Sequence, residues 1–213
     1  MSDRRIGIDF DNTLVLYDLV FRNCGIERGL LPRDFRGDKD AVRSAIRARD
    51  GGERQWTALQ AEVYGPRMAA AEMAPGARDA LKGLRRAGWQ ISIVSHKTRF
   101  AAADPNVDLR AAAWTWLETS GLLTEAGGPV DRADVFFEAT RTAKIARIRA
   151  LGCVGFIDDL VEVFEEPDFP AEVAPYLLVL DPARSPQGRF EIVRSWTEFG
   201  ARLEAPAALR SHG

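Results

Sequence analysis

A parallel α/β fold is the reading of this sequence, and three observations predict it. Short apolar runs rich in Ile, Val and Phe alternate along the chain with longer stretches whose apolar residues recur at helical spacing. Several of those runs end abruptly in an acid or a hydroxyl, at Asp9, Ser95 and Asp158. One long helical stretch interrupts the alternation after the first run. Strands alternating with helices imply right-handed crossovers and a Rossmann-like sheet.

The first strand is expected over about Arg5 to Phe10 and leads into Asp9-Phe10-Asp11-Asn12-Thr13. A helical stretch follows with Leu19, Val20 and Cys24, then a loop over Leu31 to Asp38. Ala41 to Arg49 reads as a helix with Val42, Ala45 and Ile46 on one side, stopped by Asp50-Gly51-Gly52. Trp56, Leu59 and Val63 mark another helix, from about Arg54 to Tyr64, which Gly65-Pro66 ends. Residues 16–73 are therefore read as a small α-helical cap insertion, and 1–15 with 74–205 as the core.

Pro75-Gly76 starts a helix over Ala77 to Ala87, with Ala80, Leu81 and Leu84 as its buried stripe. The second strand runs from Trp89 to Ser95. Asp104-Pro105-Asn106 reads as a loop, and Asp108 as the cap of a helix carrying Ala112, Trp116 and Leu117. Asp134 to Phe137 is the third strand, and Thr140 opens a helix with Lys144, Ile145, Ile148 and Leu151. Val154 to Ile157 is the fourth strand, Tyr176 to Leu180 the fifth, and Phe190 to Leu203 a closing strand and helix. Residues 206–213 read as a loose tail.

Composition narrows the function. Among 213 residues, 46% are hydrophobic, enough for a sizeable core. The formal charge of -2 argues against a general nucleic-acid or membrane-surface binder. Cys24 and Cys153 are far apart and lack metal-ligand spacing, which suits reduced thiols. No signal-like or membrane-length apolar run is evident, so a cytoplasmic protein is expected.

The chemistry is expected at the carboxyl edge of the sheet, where open α/β folds bind ligands. Alternation along an extended strand can put Asp9 and Asp11 toward one site. Two carboxylates that close need a cation or a shared proton, and a divalent cation with oxygen ligands, Mg²⁺, is the simplest answer. Ser95, Lys144 and the Asp158-Asp159 pair fall at the corresponding ends of later elements.

Asp-x-Asp-x-Thr, an apolar strand ending in Ser, a lone Lys and an apolar strand ending in paired acids resemble, in this order, the four motifs of the haloacid dehalogenase-like superfamily. The resemblance covers about residues 5 to 165. It implies a HAD-like core and a Mg²⁺-dependent phosphomonoesterase in which Asp9 is the nucleophile and Asp11 the general acid and base. It implies metal ligation by Asp9, the backbone carbonyl of Asp11, and Asp158 or Asp159, with Asp158 preferred. Ser95 and Lys144 are implied holders of the phosphoryl oxygens. Asp11 argues against dehalogenation, because a halide leaves without a proton. The readings kept beside hydrolysis are a phosphotransferase or phosphomutase of the same superfamily, and a non-catalytic phospholigand-binding protein.

Substrate contacts are expected from Thr13, Ser95, His96, Lys97, Tyr64 and Arg67, with Gln60 and Arg99 nearby in sequence. Tyr64 reads equally well as part of the insertion's own core. The expected partner is a small phosphorylated metabolite such as a sugar phosphate or nucleoside monophosphate, not a nucleic acid or a membrane.

Overall fold

The computed structural model describes residues 4–204, so the tail expected at 206–213 lies outside the described residues. In chain order the elements are β1 (Arg5–Ile8), β2 (Val15–Leu16), α1 (Asp18–Glu27), α2 (Lys39–Arg47), α3 (Gly52–Tyr64), β3 (Glu72–Met73), α4 (Ala77–Arg86) and β4 (Gln90–His96). Then follow β5 (Phe100–Ala101), β6 (Asp104–Asp108), α5 (Leu109–Ser120), β7 (Val135–Glu138), α6 (Arg141–Ala150), β8 (Cys153–Asp158), α7 (Val161–Phe164), β9 (Ala174–Leu178), β10 (Glu191–Val193) and α8 (Trp196–Glu204). No described helix is long and apolar enough to cross a membrane.

The chain divides into two compact units. One comprises residues 1–14, 73–96 and 121–213, the other 15–72 and 97–120. The first unit holds a six-stranded parallel sheet in the order β10-β9-β8-β1-β4-β7. The strand order reverses beside β1, so β1 has β4 on one side and β8 on the other: Ile8 aligns with Ile93 and with Ile157. Such a reversal leaves a crevice at the carboxyl ends of the central strands. Ile6, Ile8, Ile93, Phe156 and Ile157 are buried, as expected for strands covered on both faces.

β1 ends at Ile8, two residues before the expected limit, although the Asp9 N–H still donates to the Ile157 carbonyl at 2.9 Å. The chain then turns through Asn12, whose φ of 58° lies in the left-handed region that Asn tolerates better than most residues. β1 ends before Asp9 and Asp11, so strand alternation by itself does not set their relative placement.

Gly7 shows how tightly the centre is built. A Cβ there would run into the ring of Phe156 and stand 3.1 Å from the sulfur of Cys153. Gly7→Ala is expected to cost about 1–3 kcal/mol through forced repacking, seen as a lower urea midpoint with an unchanged slope.

The second unit joins the helical insertion to a segment that the sequence reading left with the core. Residues 97–120 contribute β5, β6 and α5 to it. The expected loop at Asp104 to Asn106 is the start of β6, which pairs antiparallel with β5. Pro105 hid it, since proline reads as a strand breaker, yet a two-stranded ribbon leaves it a free edge. The Asp108 carboxylate accepts from the N–H groups of Arg110 (3.0 Å) and Ala111 (2.9 Å), capping α5 as its position suggested. Ala61, Ala101 and Leu109 pack with Tyr64 and Val107, and Trp116 Nε1 donates to the Ala71 carbonyl at 3.0 Å. These contacts bind the segment to the insertion.

Candidate active site

Four elements of the sheet unit bring charged side chains to its carboxyl edge. Asp9 follows β1, Ser95 lies near the end of β4, and Asp158 ends β8. Lys144 stands one turn into α6, a helix whose start is fixed by Thr140, whose hydroxyl accepts from the Ala143 N–H at 3.0 Å. That cap sets the angular position of Lys144, and its side chain turns inward rather than to solvent.

Lys144 is the centre of the site. It is 2% exposed, and its Nζ donates at 2.6 Å to Asp9 Oδ1 and at 2.6 Å to Asp158 Oδ2. Glu138, the helix lysine's nearest acidic alternative in sequence, is engaged by Arg147 at 2.7 Å. Burial disfavours the ammonium, but Asp158 and Asp9 override it and raise the Lys144 pKa above its ordinary value. Burial pushes the Asp9 carboxyl well above the ordinary carboxylate range, against the opposing ammonium of Lys144, with Asp158, Asp159 and Asp11 pushing further upward.

Asp158 is fully buried, and both its oxygens are engaged: Oδ2 by Lys144 and Oδ1 by the Leu160 N–H at 2.9 Å. Asp159 is half-buried and accepts a long hydrogen bond, 3.4 Å, from the Thr13 hydroxyl. Oxygen atoms of Asp9, Asp158 and Asp159 all lie within 4.8 Å of one another. Three carboxylates against one ammonium leave a negative site of hard oxygen donors, which fits a divalent cation of the Mg²⁺ type. The Asp11 carboxylate is outside that group, although its charge reaches both Asp9 and His96.

Ser95 is 1% exposed, and among the described residues its hydroxyl has no hydrogen-bond partner. An orphaned buried hydroxyl costs stability, so its presence beside the carboxylate edge points to a ligand. His96 is exposed and its Nε2 lies 3.2 Å from the Ala139 carbonyl oxygen. Although the residue is exposed overall, partial covering of its ring lowers its pKa, against the bond to Ala139.

Two further expected substrate contacts have partners within the protein. Thr13 is fully buried, with its hydroxyl on Asp159 and its carbonyl accepting from Trp196 Nε1 at 3.1 Å, so it orients an acid and holds α8. Arg67, in the second unit, is ion-paired with Glu27 and, at 3.2 Å, with Glu62. Its partners lie forty and five residues back, and only the second is near it in sequence. Tyr64 and Lys97 also belong to the second unit. Tyr64 packs edge-on to Tyr17 and Phe21, and Lys97 is buried with its ammonium 5.3 Å from the Tyr64 ring centroid. Lys39, at the start of α2, has its ammonium 5.7 Å from the same ring.

The sequence matches no protein-family model and no curated protein. Solved structures are similar to it along nearly their whole length. A HAD family hydrolase from Deinococcus radiodurans, with bound phosphate and sodium, superposes with a TM-score of 0.59 at 18% identity, covering 94% of this chain and 94% of that one. A haloacid dehalogenase-like hydrolase from Streptococcus pneumoniae gives 0.57 at 14% identity, over 96% and 100%. The HAD-type protein YfnB from Bacillus subtilis, bound to magnesium, gives 0.55 at 14% identity, over 95% and 99%. With the sheet order reversing at β1 and the acids at its carboxyl edge, the chain has the fold of the haloacid dehalogenase-like hydrolases.

Proposed function

We propose that this protein is a Mg²⁺-dependent phosphomonoesterase that hydrolyses a small phosphorylated metabolite through a phosphoryl group held on Asp9. The observation that carries the reading is the buried Lys144 bridging Asp9 and Asp158 on the same sheet edge as the unpartnered Ser95 hydroxyl. The phosphate bound to the Deinococcus protein and the magnesium bound to YfnB lend support by likeness of fold.

Asp9, the backbone carbonyl of Asp11 and Asp159 would hold the cation. Asp159 is favoured over Asp158, whose two oxygens are already engaged by Lys144 and Leu160. When bound, Mg²⁺ offsets the repulsion between the carboxylates and an anionic phosphate ester. Lys144 restrains Asp9 through Oδ1, and a carboxylate oxygen of Asp9 attacks phosphorus while the bond to the leaving alcohol breaks. Asp11 gives its proton to the leaving oxygen. It then takes a proton from the water that attacks phosphoryl-Asp9, releasing inorganic phosphate and restoring the carboxylate. Ser95 and Lys144 hold the non-bridging phosphoryl oxygens as negative charge builds on them. Tyr64, Lys97 and His96 remain candidates for the rest of the substrate, whereas Thr13 and Arg67 are better read as supports.

The test is phosphate release from a broad panel of phosphorylated metabolites, with Mg²⁺ and with chelator. Release that depends on Mg²⁺ supports the reading. Its absence across the panel, with phosphate-dependent binding intact, favours a binding protein instead.

Ser95→Ala separates ligand binding from folding. Loss of the orphaned hydroxyl is expected to leave stability unchanged or raise it by up to about 1 kcal/mol. Catalytic efficiency is expected to fall by roughly 10–100-fold. Thermal unfolding and phosphate release measure the two effects on one preparation.

Acid should weaken cation binding. Because the Asp9 pKa is raised above 3.8, the folded cation-free protein keeps a proton that the unfolded chain has lost. Stability from that proton is therefore present at low pH and lost as pH rises through the raised value. Mg²⁺ has to displace the same proton, so its affinity is expected to drop by up to about tenfold per pH unit below the Asp9 pKa. Calorimetric titration across pH 5 to 8, in buffers of different ionisation enthalpy, reads both the affinity and the released proton.

A further inference from the structure

The turn that carries the candidate nucleophile is held in part by a residue far from any motif. At its start the Asp9 N–H donates to the Ile157 carbonyl at 2.9 Å, and further on the Leu14 N–H donates to the Phe10 carbonyl at 3.0 Å. Between these bonds Asn12 has a φ of 58°, a conformation that costs free energy outside glycine and persists where its surroundings fix it. Thr13 follows, fully buried, with both its polar groups engaged. Its hydroxyl donates to Asp159 at 3.4 Å, and its carbonyl accepts from Trp196 Nε1 at 3.1 Å.

Trp196 is the first residue of α8 and is itself fully buried. Its ring stands edge-on to Phe199 at 5.6 Å, and Phe199 edge-on to Tyr176 of β9 at 5.3 Å. The indole is thus braced against the sheet, and Thr13, Asp159 and Trp196 all belong to the sheet unit. A phenylalanine would supply the same edge-on contacts. What tryptophan adds is one directed donor, and that donor meets the Thr13 carbonyl. A buried carbonyl left unpaired is costly, so the indole fixes where residue 13 sits, one residue after the left-handed Asn12.

We propose that Trp196 is a positioning residue for the cation site: through Thr13 it sets the place of Asp159 and of the turn that carries Asp9 and the Asp11 carbonyl. α8 lies outside residues 5–165, yet by this contact it governs how tightly Mg²⁺ is held. The inference rests on the Mg²⁺-dependent phosphomonoesterase reading and deepens it.

The test is calorimetric titration of Mg²⁺ into wild type, Trp196→Phe and Leu84→Ala. Trp196→Phe keeps an aromatic ring and removes the donor. It is expected to weaken Mg²⁺ binding by about tenfold, as loss of a hydrogen bond behind a metal ligand does elsewhere. Leu84 is fully buried in α4, which packs on α8. Leu84→Ala should lower the urea midpoint at least as much, through the cavity it leaves, and keep the Mg²⁺ affinity within about twofold of wild type. Thr13→Val removes the hydroxyl that meets Asp159. In that background Trp196→Phe should weaken binding by no more than about twofold further, because residues acting in series do not add. Unchanged affinity in Trp196→Phe, an equal loss in Leu84→Ala, or losses that multiply in the double variant overturn the inference.

Failure of wild type to bind Mg²⁺ would count against the phosphomonoesterase reading alone. Amide hydrogen exchange on the metal-free protein then tests the positioning role without the cation. The Leu14 N–H, inside the turn, should exchange at least about tenfold faster in Trp196→Phe than in wild type, while the Asp9 N–H, bonded to the sheet, changes less. Exchange at Leu14 that stays as in wild type, or that rises no more than at Asp9, overturns the inference.

Discussion

Asp9→Asn is expected to abolish Mg²⁺-dependent phosphate release, with a loss of at least about 10⁴-fold in kcat, as removal of a covalent nucleophile does elsewhere. The amide keeps the size of the carboxylate but not its charge. It cannot form the acyl phosphate, and it gives Lys144 one anion in place of two. A steady-state assay alone would not distinguish a lost nucleophile from a lost cation. Wild type quenched in acid during turnover of a ³²P-labelled substrate should carry label that alkali removes, and Asp9→Asn should carry none. Labelling that survived in the variant would assign the nucleophile elsewhere, and an active Asp9→Asn enzyme would remove Asp9 from the mechanism altogether.

The largest effect on stability is expected at Lys144. Its ammonium lies between two buried carboxylates at 2.6 Å from each, with 2% of the residue exposed. Lys144→Met fills most of the volume while leaving Asp9 and Asp158 facing each other with no cation between them. Removal of one partner from a buried ionic cluster typically costs roughly 3–5 kcal/mol. Urea unfolding in chelator at neutral pH should show that loss, because the carboxylates are then asked to ionise. The deficit should shrink as pH falls, since protonation of Asp9 relieves the repulsion. It should also shrink on addition of Mg²⁺, which supplies the missing positive charge. A variant as stable as wild type at every pH would mean that the cluster holds its protons without Lys144. Activity should fall by at least about 10²-fold, because Lys144 also holds a phosphoryl oxygen in the proposed mechanism.

The carboxyl-edge constellation was legible because its chemistry is local to strand ends. An apolar run that stops at Asp9, Ser95 or Asp158 announces both the strand and the face where it ends. The cap at Thr140 likewise fixed where Lys144 would stand, so helix geometry had only to turn it inward. The features that escaped reading depend on pairing between distant segments. Nothing near Arg67 in sequence indicates Glu27. Nothing near Asp104-Pro105-Asn106 marks it as a strand, because its partner is a two-residue ribbon. The relation of Asp11 to Asp9 is likewise not a matter of strand alternation, since β1 ends at Ile8, before either acid. The membership of residues 97–120 in the second unit escaped too, since their apolar face packs on α3, which lies on the far side of β4 in sequence.

The place of β1 in the sheet has a consequence for how the molecule is born. It precedes in the chain both strands that flank it, with which it aligns at Ile93 and Ile157. A chain emerging from the ribosome therefore carries Asp9 on a strand with no partner until β4 has been made, and with only one until β8 follows. Closing loops of that length is slow compared with forming the local helices of the second unit. The helices α1, α2 and α3, which pack on one another, can settle while the central strand is still waiting. The bridge at the carboxyl edge therefore comes late: Asp158 is the residue whose synthesis completes β8, and until then Lys144 has at most Asp9 to engage.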